Sequence, residues 1–367
     1  MPFEYAHQAL PLYGIFLLSL ITVLTLILPF AIKIVNDQLE LFFLIMGLAA
    51  VTISGVWSWE LVLDAVKAPL TVGGLPIGIF QVVLVFGLLI HYFNRRLYPP
   101  ITRLFEKLSP RLFYFLLVLL LGLFSSILSV IVTAVILSEV LLVLPMKRED
   151  KIKIAVFACF SIGLGAGLSP IGEPLSTIMV YKLSGPPYYA DFLFPLQTFG
   201  IYIIPGIIIL ALAASILLGR RASHHREERE SYSESVKGIV IRAFKVYIFI
   251  SALILLGDGI KPLFELFLNL VPPMALYWIN LLSAFLDNAT LTAIEINPNL
   301  ALSQIVSAII ALLISGGILI PGNIPNIVAA ARLRINMKEW AIIGIPLGLS
   351  LMVLYFIALL PIFLTKL

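Results

Sequence analysis

Glu139, Glu173, Asp287 and Glu295 lie within apolar runs of the sequence, where an ionised side chain is expensive. Insertion scales put that cost at about 2.5–3.5 kcal/mol per charged residue, so each such acid is a candidate for function. The same runs contain no Lys, Arg or His, and carboxylates without basic partners suit a cation or a proton better than a bare anion. Asp287 is followed by Asn288, Thr290 and Thr292, a set of carboxylate, amide and hydroxyl oxygens of the type that binds a hard cation. Glu173 sits in Ser169-Pro-Ile-Gly-Glu-Pro174, and the matching stretch of the second half supplies Asn323 and Asn326. Burial favours the neutral carboxyl and a nearby cation favours the ionised one. That competition is the chemistry of exchanging a cation for a proton. The expected ion ligands are Asp287, Asn288, Thr290, Thr292, Ser129, Thr133, Ser169, Glu173, Asn323 and Asn326, with a sodium ion placed at Asp287 and Asn288. Glu173, Asp287 and Glu139 are the expected proton-coupling acids. Each also has a plainer reading: Asp287 as a half-helix cap, Glu173 as an acid at a helix start, and Glu139 as a group reaching cytoplasmic water.

Positioning these residues falls to elements that water does not solvate. The chain is 61% hydrophobic and 12% charged, with 24 Lys plus Arg against 20 Asp plus Glu. Its mean hydropathy is +1.09. Stretches near the ~20 residues that cross a bilayer recur at Leu10–Ile32, Gly78–Phe93, Leu193–Leu218 and Ala341–Phe363. Continuous runs of this kind predict an all-α integral membrane protein, since a β-barrel would show short alternating strands. The first run lacks a basic n-region and cleavage site and reads as a retained helix. The single cysteine, Cys159, is expected to fill core.

Two blocks of the first half have partners in the second. Phe124–Val135 aligns with Leu282–Ala293, and Gly165-Ala-Gly-Leu-Ser-Pro-Ile-Gly-Glu-Pro174 aligns with Gly316-Gly-Ile-Leu-Ile-Pro-Gly-Asn-Ile-Pro325. In the second pair Gly165, Leu168, Pro170 and Pro174 meet Gly316, Leu319, Pro321 and Pro325 at one offset. Glycine and proline midway along an apolar stretch predict an unwound break. Paired breaks in corresponding halves point to a transport site near the bilayer midplane. The run Leu112–Leu144 has basic clusters at both ends and predicts a re-entrant hairpin with its tip near Ser129–Thr133. An odd number of crossings between the breaks makes the two repeats inverted. The predicted organisation is scaffold helices over 1–75 and a first repeat over 76–219, with hairpin 112–146 and broken helix 154–183. A linker over 220–238 follows, then a second repeat over 239–367 with hairpin 272–296 and broken helix 301–333.

Every Lys and Arg except Lys67, Lys182, Lys261 and Lys366 groups on one face, which the positive-inside rule makes cytoplasmic. The expected location is the cell membrane, multi-pass, with the 220–238 linker cytoplasmic and both termini outside. The linker, with His224 and His225, reads as a solvated charge run. The net charge of +4 is accounted for by this orientation and not by nucleic acid.

A hairpin with a small polar tip followed by a Gly/Pro/Asn-broken helix, twice over, resembles the ion transporter superfamily. That superfamily includes NhaD-type sodium/proton antiporters, arsenite exporters and divalent-anion/sodium symporters. Leu282-Ser-Ala-Phe-Leu-Asp-Asn-Ala-Thr-Leu-Thr292 is similar to the NhaD-like hairpin motif, and Gly322-Asn-Ile-Pro-Asn-Ile327 to the second broken helix. The likeness covers Gly78 to Leu364 and is nearest to a small prokaryotic cation-transporter branch. It implies an elevator mechanism, a homodimer in the lipid bilayer, and sodium/proton antiport. Coupled transport of arsenite, another oxyanion or a dicarboxylate is the alternative. Ser129-Val-Ile-Val-Thr133 lacks the Ser-Asn-Thr signature of the divalent-anion branch, which weighs against dicarboxylates.

An intramembrane enzyme fits poorly. The sequence has no HExxH and no Walker lysine motif, and Leu256-Gly-Asp-Gly259 has no second aspartate in a Tyr-Asp context. No cofactor is expected beyond transported sodium and protons. Asn288-Ala-Thr290 matches a glycosylation sequon, but a buried hairpin tip is no acceptor.

Overall fold

The computed structural model describes residues 11–71, 78–144, 146–219, 235–268, 273–286 and 288–364. Asp287 and most of the 220–238 linker, with His224 and His225, lie outside the described residues. The described residues form an all-α structure, 83% of it helix. Among the described residues there is no strand.

Helices α1 (Leu12–Ala31), α2 (Lys33–Asp37), α3 (Leu39–Ser54) and α4 (Trp59–Lys67) open the chain. Local chemistry sets their joints: Gly55 takes a left-handed φ of 71° to stop α3, and the Ser58 hydroxyl accepts from Leu61 N at 3.0 Å to start α4. Next come α5 (Ile79–Lys107), α6 (Pro110–Leu128), α7 (Val130–Val143), α8 (Arg148–Ala166), α9 (Pro174–Lys182) and α10 (Phe194–Gly219). The second half holds α11 (Val236–Leu268), α12 (Pro273–Ile279), a 3-10 turn over Asn280–Ala284, and α13 (Asn288–Glu295). It continues with α14 (Leu302–Ser315), a 3-10 turn over Ile320–Gly322, α15 (Ile324–Leu333) and α16 (Met337–Leu364).

Five of these helices, α1, α6, α10, α11 and α16, are long and apolar enough to cross a membrane. The expected spans at Leu10, Leu193 and Ala341 fall on α1, α10 and α16, whereas Gly78–Phe93 is only the start of the longer α5. At 19 residues α6 has the length of a full crossing, while α7 has 14, so the arms of the expected first hairpin are unequal.

The centre of the molecule is built from the two broken helices. Every residue of α14 from Ile305 onward is buried, as is α8 from Ile154, which is why both sequences are apolar all round. Helix α6 lies against α8 through small residues: a Cβ on Gly165 would come within 1.7 Å of Gly122 O. Ser161 and Ser125 donate across the same seam to Val118 O and Ile162 O, each at 2.9 Å. The halves then exchange partners, α7 packing on α15 and α13 packing on α9. Outside this centre α3 and α5 pack on α11, and Tyr355 of α16 donates to Tyr202 O of α10 at 2.8 Å.

Candidate functional site

Each broken helix unwinds where its glycines and prolines stand. The first break runs between α8 and α9. Gly172 lies so close to the end of α8 that a Cβ would sit 2.1 Å from Ala166 O. Pro174 then starts α9, where its missing N–H costs nothing. The hairpin junction is Ser129, whose φ of 69° is left-handed for a residue with a side chain. Junction and break are sewn together: Val130 N donates to Gly172 O at 3.0 Å, and the Ser169 hydroxyl donates to Ser126 O. Thr133 Oγ1 donates to Ser129 O at 2.7 Å. Glu173 is buried at the start of α9, with 2% of its surface exposed.

The second break is packed differently. Gly322 faces three carbonyls from two segments, and a Cβ there would meet Ser283 O at 2.5 Å, Gly316 O at 2.6 Å and Ala284 O at 2.9 Å. Only glycine lets these oxygens converge. Asn326 Nδ2 donates to Gly316 O and Leu319 O, both at 2.8 Å, which leaves its Oδ1 buried with no partner among the described residues. Ser283 Oγ and Asn288 Nδ2 are likewise buried without partners among those residues. Asn323 caps α15 through Oδ1, which accepts from Ile324 N at 2.8 Å, while its Nδ2 is buried against Gly163 of the other broken helix. Trp340 of α16 steadies the segment by donating to Gly317 O at 3.2 Å.

A buried polar atom without a partner costs roughly 1–3 kcal/mol, so a cluster of them in a tightly packed centre needs a reason. Two of these atoms are oxygens, Ser283 Oγ and Asn326 Oδ1, and two are the amide nitrogens of Asn288 and Asn323. Ser283 Oγ, Asn326 Oδ1 and the converging carbonyls form a cradle of oxygens, the donor type that suits a hard cation. Among the described residues no three His, Cys, Asp or Glu stand together.

Not all the expected ligands gather there. Asn288 and Asn326 do, whereas Asn323 turns its Nδ2 to Gly163 of α8; Ser283 joins them, and sequence reasoning passed over it because a serine in an apolar hairpin carries no charge signal. Thr290 instead packs on Gly257 of α11, its Oγ1 about 3.1 Å from where a Cβ would stand. Thr292 donates to Asn288 O at 2.8 Å, one helical turn back. Ser129, Thr133, Ser169 and Glu173 belong to the first break, and Asp287 lies outside the described residues.

Glu139 corrects the expectation that the buried acids have no basic partner. Arg332 holds it bidentately, Nε to Oε1 and Nη2 to Oε2 at 3.0 Å, with 6% of the arginine exposed. Arg332 ends the short α15 and in sequence looks like a cytoplasmic loop residue. The packing of α15 on α7 buries that end, where a guanidinium needs a carboxylate. The pair borders a crevice that Arg242 of α11 also lines, so its charged lining is two arginines and one glutamate. Lys182, at the end of α9, is half-buried too and donates to Ala293 O and to Ile296 O at 3.1 Å, capping the carboxyl end of α13.

Fold and site together define a class: an all-α protein with membrane-length helices and an oxygen-lined break in a buried helix. The chain belongs to the family described as "Protein of unknown function (DUF1646)", whose model matches residues 15–362. No curated protein matches the chain.

Proposed function

We propose that the protein is a secondary transporter of a small cation, exchanging sodium for protons across a membrane. The observation that carries this is the second break, where buried oxygens converge on Gly322 and those of Ser283 and Asn326 have no partner among the described residues. A desolvated cation supplies what they lack, and unwound backbone in a transporter core is the usual place for it. Asp287, next to Asn288, is the acid proposed to complete the shell, with Glu173 in the opposite break as a proton-competing group. The crossed packing of the halves suits the inverted repeats expected from the sequence. A homodimer moving its sites by an elevator motion is what the resemblance adds.

The test is reconstitution in liposomes with an internal pH dye. Sodium pulses should dissipate an imposed proton gradient, and Asp287→Asn should abolish the effect while the protein stays monodisperse. Potassium, arsenite and succinate are the comparison substrates. Dissipation by arsenite or succinate and not by sodium would overturn the cation reading.

A further inference from the structure

The cradle is one end of a longer buried feature. Along α13, Asn288, Thr292 and Glu295 fall at i, i+4 and i+7 on one face, and all three are buried. At its far end Asn280 Nδ2 donates to Glu295 Oε2 at 3.0 Å and lies 3.4 Å from Ala308 O of α14. Glu295 is 6% exposed and Asn280 1%. The other oxygen of each side chain, Glu295 Oε1 and Asn280 Oδ1, is buried with no hydrogen-bond partner among the described residues. Both orphans are acceptors. A carboxylate and an amide that already share one hydrogen bond can add a second only if the carboxyl gains a hydrogen. One proton on Oε1 turns that oxygen into a donor and satisfies the acid–amide pair.

We propose that Glu295 is an exchangeable proton site of this protein besides Glu173, paired with Asn280 and joined to the Ser283–Asn326 cradle by the polar face of α13. The assignment of its counter-ion rests on the cation reading above. In the proton-loaded state Glu295 is a neutral acid; on cation entry its O–H bond breaks, the proton passes to water at the 296–301 loop, and the carboxylate charge offsets the arriving cation. Seven residues of helix place the acid about 10 Å along the axis from Asn288, near enough in a low-dielectric core for the two charges to interact. The elements around α13 supply few other charges. Lys182 and Tyr181 are on α9, Asp258 and Lys261 are on α11 beside Gly257, and α14 and the 3-10 turn carry no titratable residue. Lys182 is bound to the Ala293 and Ile296 carbonyls that flank Glu295.

Two measurements test this. Glu295→Gln keeps the shape and gives Asn280 Oδ1 a permanent donor. It should fold, retain stabilisation by sodium, and lose both the proton release seen on adding sodium to solubilised protein and proton-driven exchange in liposomes. Unchanged proton release in that variant overturns the proposal. Difference infrared spectroscopy of the wild-type protein covers a variant that does not fold. A carboxylic-acid carbonyl band should vanish as pH rises or sodium is added, and should persist in the sodium-free Asp287→Asn and Glu173→Gln variants. Absence of such a band also overturns it. A band that titrates with pH but ignores sodium leaves the proton site standing and removes the cation reading instead.

Discussion

The two breaks share a plan and differ in what they leave undone. In the first, hydroxyls and carbonyls satisfy one another: Ser169 serves Ser126, Val130 serves Gly172 and Thr133 serves Ser129. In the second, the glycine brings carbonyls together, and Ser283 Oγ, Asn288 Nδ2 and Asn326 Oδ1 have no hydrogen-bond partner among the described residues. The first break is held as a joint, with Glu173 buried at its edge. On the cation reading proposed above, the second has room in its bonding for a guest. Similar Gly/Pro spacing therefore yields two kinds of site, and the polar residues that answer the glycine decide which.

The joints between the halves give the largest expected effect. Arg332→Ala strands Glu139 in a buried setting and should cost about 3–5 kcal/mol, seen as a large fall in the temperature at which solubilised protein loses monodispersity. Pairing it with Glu139→Leu should restore most of the loss. Lys182→Ala removes charge-assisted bonds from a half-exposed amine and should cost about 1–2 kcal/mol, so equal losses at the two joints would dissolve the contrast.

Within the breaks, Gly322→Ala drives a methyl into three backbone oxygens and should destabilise by about 1–3 kcal/mol while abolishing stabilisation by sodium. Ser169→Ala should cost about 1 kcal/mol of melting stability and leave sodium stabilisation intact, because its hydroxyl is engaged within the joint. A loss of sodium response in Ser169→Ala would show that the first break is open as well.

The smallest effect is a gain. Ser129 holds φ 69° and ψ 154°, a region that glycine enters without strain. Ser129→Gly should raise stability by up to about 1 kcal/mol, read in the same melting assay. No gain would mean that a contact of the serine hydroxyl repays its backbone.

Much of this arrangement was readable from residue types. Hydropathy located α1, α10 and α16, and the Gly/Pro blocks located both breaks because proline and glycine act locally on the backbone. Ser129 was marked as the hairpin tip by the polar interruption of an apolar run. What escaped was set by packing between distant segments. Arg332 and Glu139 are 193 residues apart, and nothing near either one announces the other. Thr290 was grouped with Asn288 by proximity, but two residues along a helix turn a side chain by more than half a circle, and it faces α11. Glu295 is legible as a deep acid, but its partner Asn280 is not, since a lone asparagine in a hairpin carries no periodic or charge signal.

The bond between Glu139 and Arg332 also sets a timetable. A ribosome adding about 5–20 residues per second delivers the arginine roughly 10–40 s after the glutamate, given the 193 residues between them. For that interval the first-half arm carries an acid whose partner has not been made. Helix α7 cannot settle beside α15 until α15 has been made, so its final packing waits on the second half. Truncations that stop before Arg332 should therefore be cleared by quality control with α7 unseated, however well the earlier helices have inserted.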